Sequence, residues 1–417
     1  VIRTLWLIAV ALVFVASAPA AQHHAPVRLD PARLARLDGV LQRYVDENRV
    51  AGIVALVLKD GKPAYDKAFG WRDMESGVKM TTDTLFRIAS QTKAITSVAI
   101  LMLVEEGKIG LNDPVSRFIP AYAKTSVAAR KDGAVEIVPA RRAITITDLL
   151  THTAGISYGT NTDVSAQYEA KGLGPAAGYG WYTADKSEDV CTTMERLASL
   201  PFVAQPGEQW VYGYNTDILG CVVERASGLP LDEFFRTRIT GPLGMTDTDF
   251  FVPAAKRDRL ATVYASGPQG TIVRAPDGAR GQGHYVEGPR KNFAGGAGLV
   301  STARDYTRFL EMVRNGGALG EARLLSPRMV ELLITNQSGA LHSTAGRGFS
   351  LAFQTTDRPG ANGLEPVGAY GWAGAYGTVY RIDPQGGLVL SLMIQLIPNA
   401  TDIQPKFQAL VHQAVVP

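Results

Sequence analysis

Ser90-Gln91-Thr92-Lys93 places a hydroxyl and an amine three residues apart. On a helix, residues at that spacing are neighbours on one face. The run that follows, Ala94-Ile95-Thr96-Ser97-Val98-Ala99-Ile100-Leu101-Met102-Leu103-Val104, is apolar nearly all round. Such a run is expected to be a buried helix rather than a surface one. Glu105-Glu106-Gly107 follows it, and Gly107 is a good helix stop. Burial disfavours the charged form of an amine, so a lysine at the first turn of such a helix can act as a base. A base beside a serine hydroxyl makes an activated nucleophile, which is the chemistry of acyl transfer.

Two other stretches compete. Ser76-Gly77-Val78-Lys79 has the same spacing, but Asp73, Glu75 and Gly77 surround it and no apolar run follows. It reads as a surface turn. Gly155-Ile156-Ser157-Tyr158-Gly159 matches the Gly-x-Ser-x-Gly nucleophile elbow. An elbow needs a buried strand before it and a helix after it. Here Asp148 to His152 reads as helix and Thr160 to Asp163 as loop, so Ser157 is expected to be a loop serine and His152 a turn residue.

The elements that must position Ser90 and Lys93 can be followed along the chain. Asp30-Pro31 opens a helix with Leu34, Leu37, Leu41, Tyr44 and Val45 at helical spacing. Gly52 to Lys59 is an apolar, β-branched strand, Asp60-Gly61 a hairpin turn, and Ala64 to Phe69 the return strand. From the Ser90 helix to about residue 250 strand signals are few. Helices are expected near Ile146–Thr151, Cys191–Leu200, Asp217–Ala226 and Leu231–Arg238, with Ser157 to Asp185 as loop. Thr302 to Arg314 reads as a helix with Thr302 and Asp305 as a capping box. Tyr376 to Ile382 and Leu388 to Leu396 form a second hairpin, and Pro405 to Val416 a closing helix. Strands at both ends with helices between predict an α+β fold, an antiparallel sheet flanked by helices and a mostly helical insertion. The expected division is a sheet domain of residues 28–88 and 290–417 around a helical domain of 89–289 carrying the active-site loops.

Composition narrows the function class. The 417 residues are 46% hydrophobic and 19% charged, with a net charge of +3. Like charges form no block, which argues against nucleic acid or a membrane surface as partner. Arg3, the apolar stretch Leu5 to Val15 and the small residues Ala16-Ser17-Ala18-Pro19-Ala20 resemble an export signal of residues 1–20, followed by a periplasmic or secreted protein with no stable membrane span after cleavage. Two cysteines, Cys191 and Cys221, are present; export permits a disulfide, but a pair of buried free thiols is the reading here. The six histidines show no zinc-site spacing outside the His23-His24 doublet, so neither metal nor other cofactor is expected.

Several further segments carry a resemblance. They are Leu85-Phe86-Arg87-Ile88-Ala89-Ser90-Gln91-Thr92-Lys93, Leu111-Asn112-Asp113-Pro114-Val115, Ile144 to Gly155, Pro242-Leu243-Gly244-Met245, Gly296-Ala297-Gly298-Leu299-Val300-Ser301-Thr302 and Gly371-Trp372-Ala373-Gly374. In order and spacing the chain resembles the serine β-lactamase and penicillin-binding-protein superfamily, and specifically the family VIII carboxylesterases, over most of residues 35–400. The resemblance implies a β-lactamase/transpeptidase-like fold with Ser90 as nucleophile and Lys93 with Tyr212, after Pro206-Gly207 and Trp210, as its base. It also implies that the backbone N–H groups of Ser90 and Ala375 form the oxyanion hole, with Trp372 and Gly374 against the substrate.

Two departures from the β-lactamase pattern bear on substrate. The Asn two residues after the motif tyrosine is Tyr214 here, with Asn215 following. The Lys-Thr-Gly motif is Trp372-Ala373-Gly374, so an indole stands where an ammonium would attract a carboxylate. The resemblance therefore implies a neutral small-molecule ester, with short-chain carboxylic esters as substrates. β-Lactam or D-amino-acid peptide hydrolysis, and acyl transfer to an alcohol, are the alternatives on the same fold. Tyr158, Tyr168, Tyr179, Trp181 and Tyr182 are candidates for the wall of the acyl pocket.

Overall fold

The computed structural model describes residues 27–175, 182–267 and 270–417. The expected export signal, Tyr179 and Trp181 lie outside the described residues.

An eight-stranded sheet is the frame. Its strands are β1 (Gly52–Lys59), β2 (Lys62–Asp73), β3 (Val78–Lys79), β4 (Arg347–Phe349), β5 (Gln354–Thr356), β6 (Tyr370–Ala373), β7 (Val379–Asp383) and β8 (Leu388–Met393). The order is β4-β5-β6-β7-β8-β1-β2-β3, antiparallel throughout. Sequence termini thus meet at the centre, where β8 pairs with β1 from Leu388↔Lys59 to Met393↔Val54. Alternate residues of β1 serve different layers: Val54, Leu56 and Leu58 join one core, Ile53, Ala55 and Val57 the other. A strand covered on both faces has no polar alternation, which explains its continuous apolar run.

One face is closed by α1 (Arg36–Asp46), through Leu37, Leu41 and Tyr44, and by the last helix through Ile403, Phe407 and Val411. The other face receives α6 (Ala303–Arg314); α2 (Thr92–Glu105), α3 (Ile146–Leu150) and α4 (Val190–Leu197) each pack on α5 (Asn215–Ser227), and α7 is the last helix, Ile403–His412. All residues of α2 from Thr92 to Leu103 are buried, as its pattern predicts.

The hairpin turn Asp60-Gly61 is present, with φ of 50° and 75°, the left-handed pair that a two-residue turn requires. The same turn recurs at Asp132-Gly133, φ 51° and 84°, between Ser126–Lys131 and Ala134–Pro139. That hairpin lies in the region read as poor in strands, and the Asp-Gly pair was its signal. The return strand β2 is longer than expected at both ends, with a register shift at Val57/Leu58. A short helix, Ser165–Ala170, interrupts the expected loop. The closing helix starts at Ile403 and stops at His412; Val415–Val416 instead pairs with Arg28–Leu29. At α6, Thr302 Oγ1 accepts from Asp305 N at 3.1 Å. The Asp305 carboxylate does not return the bond: it accepts from Asp247 N and Thr248 Oγ1, so half of the capping box forms.

The cysteines correct the thiol reading. Cys191 and Cys221 form a disulfide between α4 and α5, with Cα atoms 4.9 Å apart. Their separation in sequence could not reveal that α4 lies against α5 and brings the two together.

Candidate active site

The backbone reverses sharply just before Ser90. Phe86–Arg87 pairs with Val300–Ser301, and a single 3₁₀ turn, Ala89–Gln91, then leads into α2. Ala89 is fully buried with φ of 43°, a left-handed conformation costly for a residue with a side chain. Strain of this kind persists where the surroundings enforce it. Ser90 sits at the tip, 9% exposed.

Lys93 is one turn on, and its amine has a defined set of partners. Nζ donates to Ser90 Oγ at 3.3 Å, to Tyr158 Oη at 2.9 Å and to the Gly296 carbonyl at 2.7 Å. The Gly296 loop is stapled to α2: Thr96 Oγ1 donates to Gly295 O at 2.7 Å and Leu299 N to Thr92 Oγ1 at 3.1 Å. Small residues are required there. A Cβ on Gly295 would lie 2.8 Å from Thr216 O, and one on Gly296 2.3 Å from Asp217 Oδ2.

Tyr212 approaches Lys93 by its ring, whose centroid is 4.7 Å from Nζ. Its hydroxyl accepts from Trp372 Nε1 at 3.1 Å. Two residues expected to act at one site therefore touch each other. Trp210 stacks on Tyr212 at 5.6 Å, and Phe349 packs edge-on to Trp372 at 5.3 Å. Tyr214 points elsewhere: it is fully buried and accepts from Gly174 N at 3.2 Å.

Gly374 brings β6 against the Ser90 turn. A Cβ there would stand 2.5 Å from Ile88 O and 2.3 Å from Thr378 Oγ1. Gly374 N donates to Thr378 O at 2.8 Å, which closes the turn that carries Ala375. Among the described residues, no backbone acceptor takes the Ala375 N–H.

The competitors fall elsewhere. Ser157 is buried in irregular chain, and its Oγ accepts from Gly159 N at 3.0 Å. His152 is a turn residue with φ of 58°. Its ring is packed against Tyr212 at 4.8 Å, and its Nδ1 meets Asn215 Nδ2 at 2.9 Å. Burial, then the Lys93 charge, hold the imidazole well below its usual range, so it is neutral. Asn215 Nδ2 is further engaged by Ile156 O and Val211 O, so this amide braces the wall.

Tyr158 and Asp217 lie beside Lys93 and its Gly296 loop, a placement that sequence reasoning gave to neither. Tyr158 was visible as a wall candidate, hidden inside the elbow-like motif. Burial pushes its phenol well above the usual range. Asp217 lies in the first turn of α5, fully buried, with Oδ1 accepting from Gly296 N at 3.0 Å. Burial pushes its carboxyl up to about 6, against the opposing pull of Lys93 and the Gly296 N–H. Of the other wall candidates, Tyr168 is fully buried and Tyr182 stacks on Tyr285 at 5.3 Å. Among the described residues, no three His, Cys, Asp or Glu side chains are grouped to hold a metal ion.

Comparison with known proteins gives the family. The model of the family described as Beta-lactamase matches residues 37–413. This chain belongs to the β-lactamase family. Within the family it is 34% identical to Esterase EstB of Burkholderia gladioli over 382 residues, 88% of this chain and 91% of that protein. This places it with the esterase branch, the family VIII carboxylesterases. It is 37% identical over 377 residues, 86% of this chain and 89% of the other, to an uncharacterized protein of Mycobacterium tuberculosis. Among solved structures, the fold matches EstCE1, described as a hydrolase with promiscuous acyltransferase activity, with a TM-score of 0.75 and 27% identity. That match covers 92% of this chain and 98% of the other. Simvastatin synthase LovD from Aspergillus terreus shares the fold at a TM-score of 0.72 and 24% identity, over 93% of this chain and 98% of that one. The β-lactamase/transpeptidase-like α+β architecture follows from these matches and from the sheet itself.

Proposed function

We propose that this chain is an exported serine carboxylesterase that hydrolyses short-chain esters through an acyl-enzyme. The observation that carries the reading is the Lys93 amine, bonded to Ser90 Oγ at 3.3 Å inside a buried site. Ser90 Oγ attacks the ester carbonyl while Lys93 takes its proton. The Ser90 and Ala375 N–H groups hold the oxyanion as it forms. Tyr212, its hydroxyl oriented by the Trp372 indole, gives its proton to the departing alkoxide and is reprotonated from the adjacent Lys93 ammonium, which restores both groups. Tyr158 is assigned a different part. Its buried phenol stays neutral, so it holds the Lys93 amine in line rather than acting as the base. Water then attacks the acyl-enzyme with the same groups in reverse, releasing the acid.

The esterase reading over the lactamase one rests on Trp372 and on the similarity to Esterase EstB. An indole that donates to Tyr212 has no charge with which to draw a substrate carboxylate. Gly374 and the face of Trp372 are assigned to the substrate. The aromatic group of Trp210, Tyr212, Phe349 and Trp372 favours an apolar acyl or alcohol part. The likeness to EstCE1 supports a second reaction at this site, acyl transfer to an added alcohol. Export is supported by the Cys191–Cys221 disulfide, a bond that persists in oxidising compartments. Among the described residues no helix is long and apolar enough to cross a membrane.

The test is a panel of Ser90→Ala, Lys93→Ala, Tyr212→Phe and Ser157→Ala variants, assayed on a nitrophenyl butyrate and a chromogenic cephalosporin. The first two are expected to lose ester hydrolysis, Tyr212→Phe to fall ~100-fold or more, and Ser157→Ala to remain active. Loss of activity in Ser157→Ala with retention in Ser90→Ala would overturn the assignment. A far higher rate on the cephalosporin would overturn the substrate class.

A further inference from the structure

Asp217 has a cost that its structural contacts do not require. Its Oδ1 accepts from Gly296 N at 3.0 Å, but Oδ2 is buried with no hydrogen-bond partner. A neutral side chain with one acceptor would anchor the loop equally well, and an underpartnered carboxylate in a core is unfavourable. Its position at the first turn of α5 recovers part of that cost through the helix dipole.

The geometry ties the carboxylate to the reacting amine. Gly296 is held on both sides: its N–H donates to Asp217, and its carbonyl receives Lys93 Nζ at 2.7 Å. A Cβ at Gly296 would lie 2.3 Å from Asp217 Oδ2, so the loop and the carboxylate are in direct contact. The charged and titratable groups that act on this carboxylate or feel it are Lys93 from α2, Tyr158 from the chain after α3, Tyr214 at the start of α5, and Tyr122 in the turn Pro120–Ala123. The three phenols are all pushed up by burial and stay neutral. Lys93 is the amine of that set.

We propose that Asp217 is a positioning residue for the Lys93 base, fixing the Gly296 carbonyl that orients the amine and supplying the countercharge when Lys93 becomes an ammonium. This rests on Lys93 accepting the Ser90 proton. In that step the Ser90 O–H bond breaks, the proton moves to Nζ, and the oxygen electron pair forms the bond to the acyl carbon. A positive charge appears on Nζ inside a buried site, where a fixed anion lowers the cost of forming it. The anion is present only while Asp217 is ionised.

The test is Asp217→Asn, which keeps an acceptor for Gly296 N and removes the charge. kcat and KM are measured on a nitrophenyl butyrate from pH 5 to 9, beside the rate of Ser90 labelling by a fluorophosphonate. The expected result is a kcat and a labelling rate ~10-fold or more lower at pH 8, with KM within about 3-fold of wild type. The wild type is expected to lose activity on acidification with a break near pH 6, where Asp217 takes up its proton, and that break is expected to be absent from Asp217→Asn. An Asn variant that keeps the wild-type break and rate, or loses activity only in proportion to folded protein, would overturn the proposal. Should Asp217→Asn fail to fold, Asp217→Ser is read by the same profile. Lys93→Ala separates the two levels. If it retains activity, the base assignment fails and this proposal with it. If it is inactive while Asp217→Asn behaves as wild type, only the role of Asp217 is refuted.

Discussion

Gly374→Ala is a single methyl directed at the proposed oxyanion hole. The new Cβ would sit 2.3 Å from Thr378 Oγ1 and 2.5 Å from Ile88 O. Thr378 Oγ1 is buried without a hydrogen-bond partner, so that side chain can turn aside. Ile88 O cannot, because it is backbone two residues before Ser90 and its own N–H is tied to Leu299 O at 3.1 Å. Ordinary contact requires more than 3 Å, so the Gly374 backbone must retreat by roughly 0.5–1 Å. Gly374 N is bonded to Thr378 O, and Gly377 N to Gly374 O, so the displacement carries Ala375 with it. A misplacement of about 1 Å costs ~100-fold in rate, and full loss of one oxyanion donor ~100- to 1,000-fold. The overpacking should cost stability by about 1–3 kcal/mol as well. Steady-state kinetics on a nitrophenyl butyrate are expected to show kcat down ~100-fold with KM changed by less than about 3-fold, since the donor acts mainly on the oxyanion. Circular dichroism and a urea titration confirm that the variant is folded. A folded Gly374→Ala enzyme with kcat within about 3-fold of wild type would refute the oxyanion role assigned to Ala375.

Two further outcomes concern stability. Replacing Cys191 and Cys221 by Ser removes a link across a sequence separation of 30. Constraint of the unfolded chain predicts a loss of about 3–4 kcal/mol in a urea titration, matched by reduction of the wild type; a loss below about 1 kcal/mol would show that the α4–α5 packing holds without the bond. His152 is buried and its imidazole is held well below the usual range. Its contribution is complete above the unfolded value of about 6.5 and is lost as pH falls below it, because only the unfolded chain takes the proton there. Between pH 7.5 and 5.5 the wild type should lose about 1.4 kcal/mol relative to His152→Gln. Asp217 acts in the opposite direction as pH falls through about 6, and His342 in the same direction as His152, so the comparison with the variant isolates His152. Parallel pH curves for the two proteins would refute the assignment.

The sequence of this protein determines what is local. A serine and a lysine one helical turn apart meet on one face wherever that helix is placed, so Ser90 and Lys93 were a candidate pair before any fold was known; the apolar run after them set them above Ser76 and Lys79, and the family resemblance singled them out. β1 and α2 were legible for a related reason: a chain covered on all sides shows an unbroken apolar run, and this is visible in Gly52–Lys59 and Ala94–Val104. Gly374 and Trp372 were found through family resemblance, and the structure supplied the collisions that explain the glycine.

What the tertiary structure decided depends on segments far apart in the chain. Tyr158 reaches Lys93 across 65 residues and Gly296 across 203, distances over which no periodicity operates. Tyr158 also lay inside Gly155 to Gly159, where the motif drew attention to its neighbour Ser157. Asp217 looked like an ordinary acidic residue in the first turn of a helix; only the approach of the Gly296 loop makes it part of the site. The cysteine pair was settled in the same way, by the packing of α4 on α5. A helix sets its own neighbours through its pitch, whereas contacts between elements exist only after the sheet and the helical layer have closed around them.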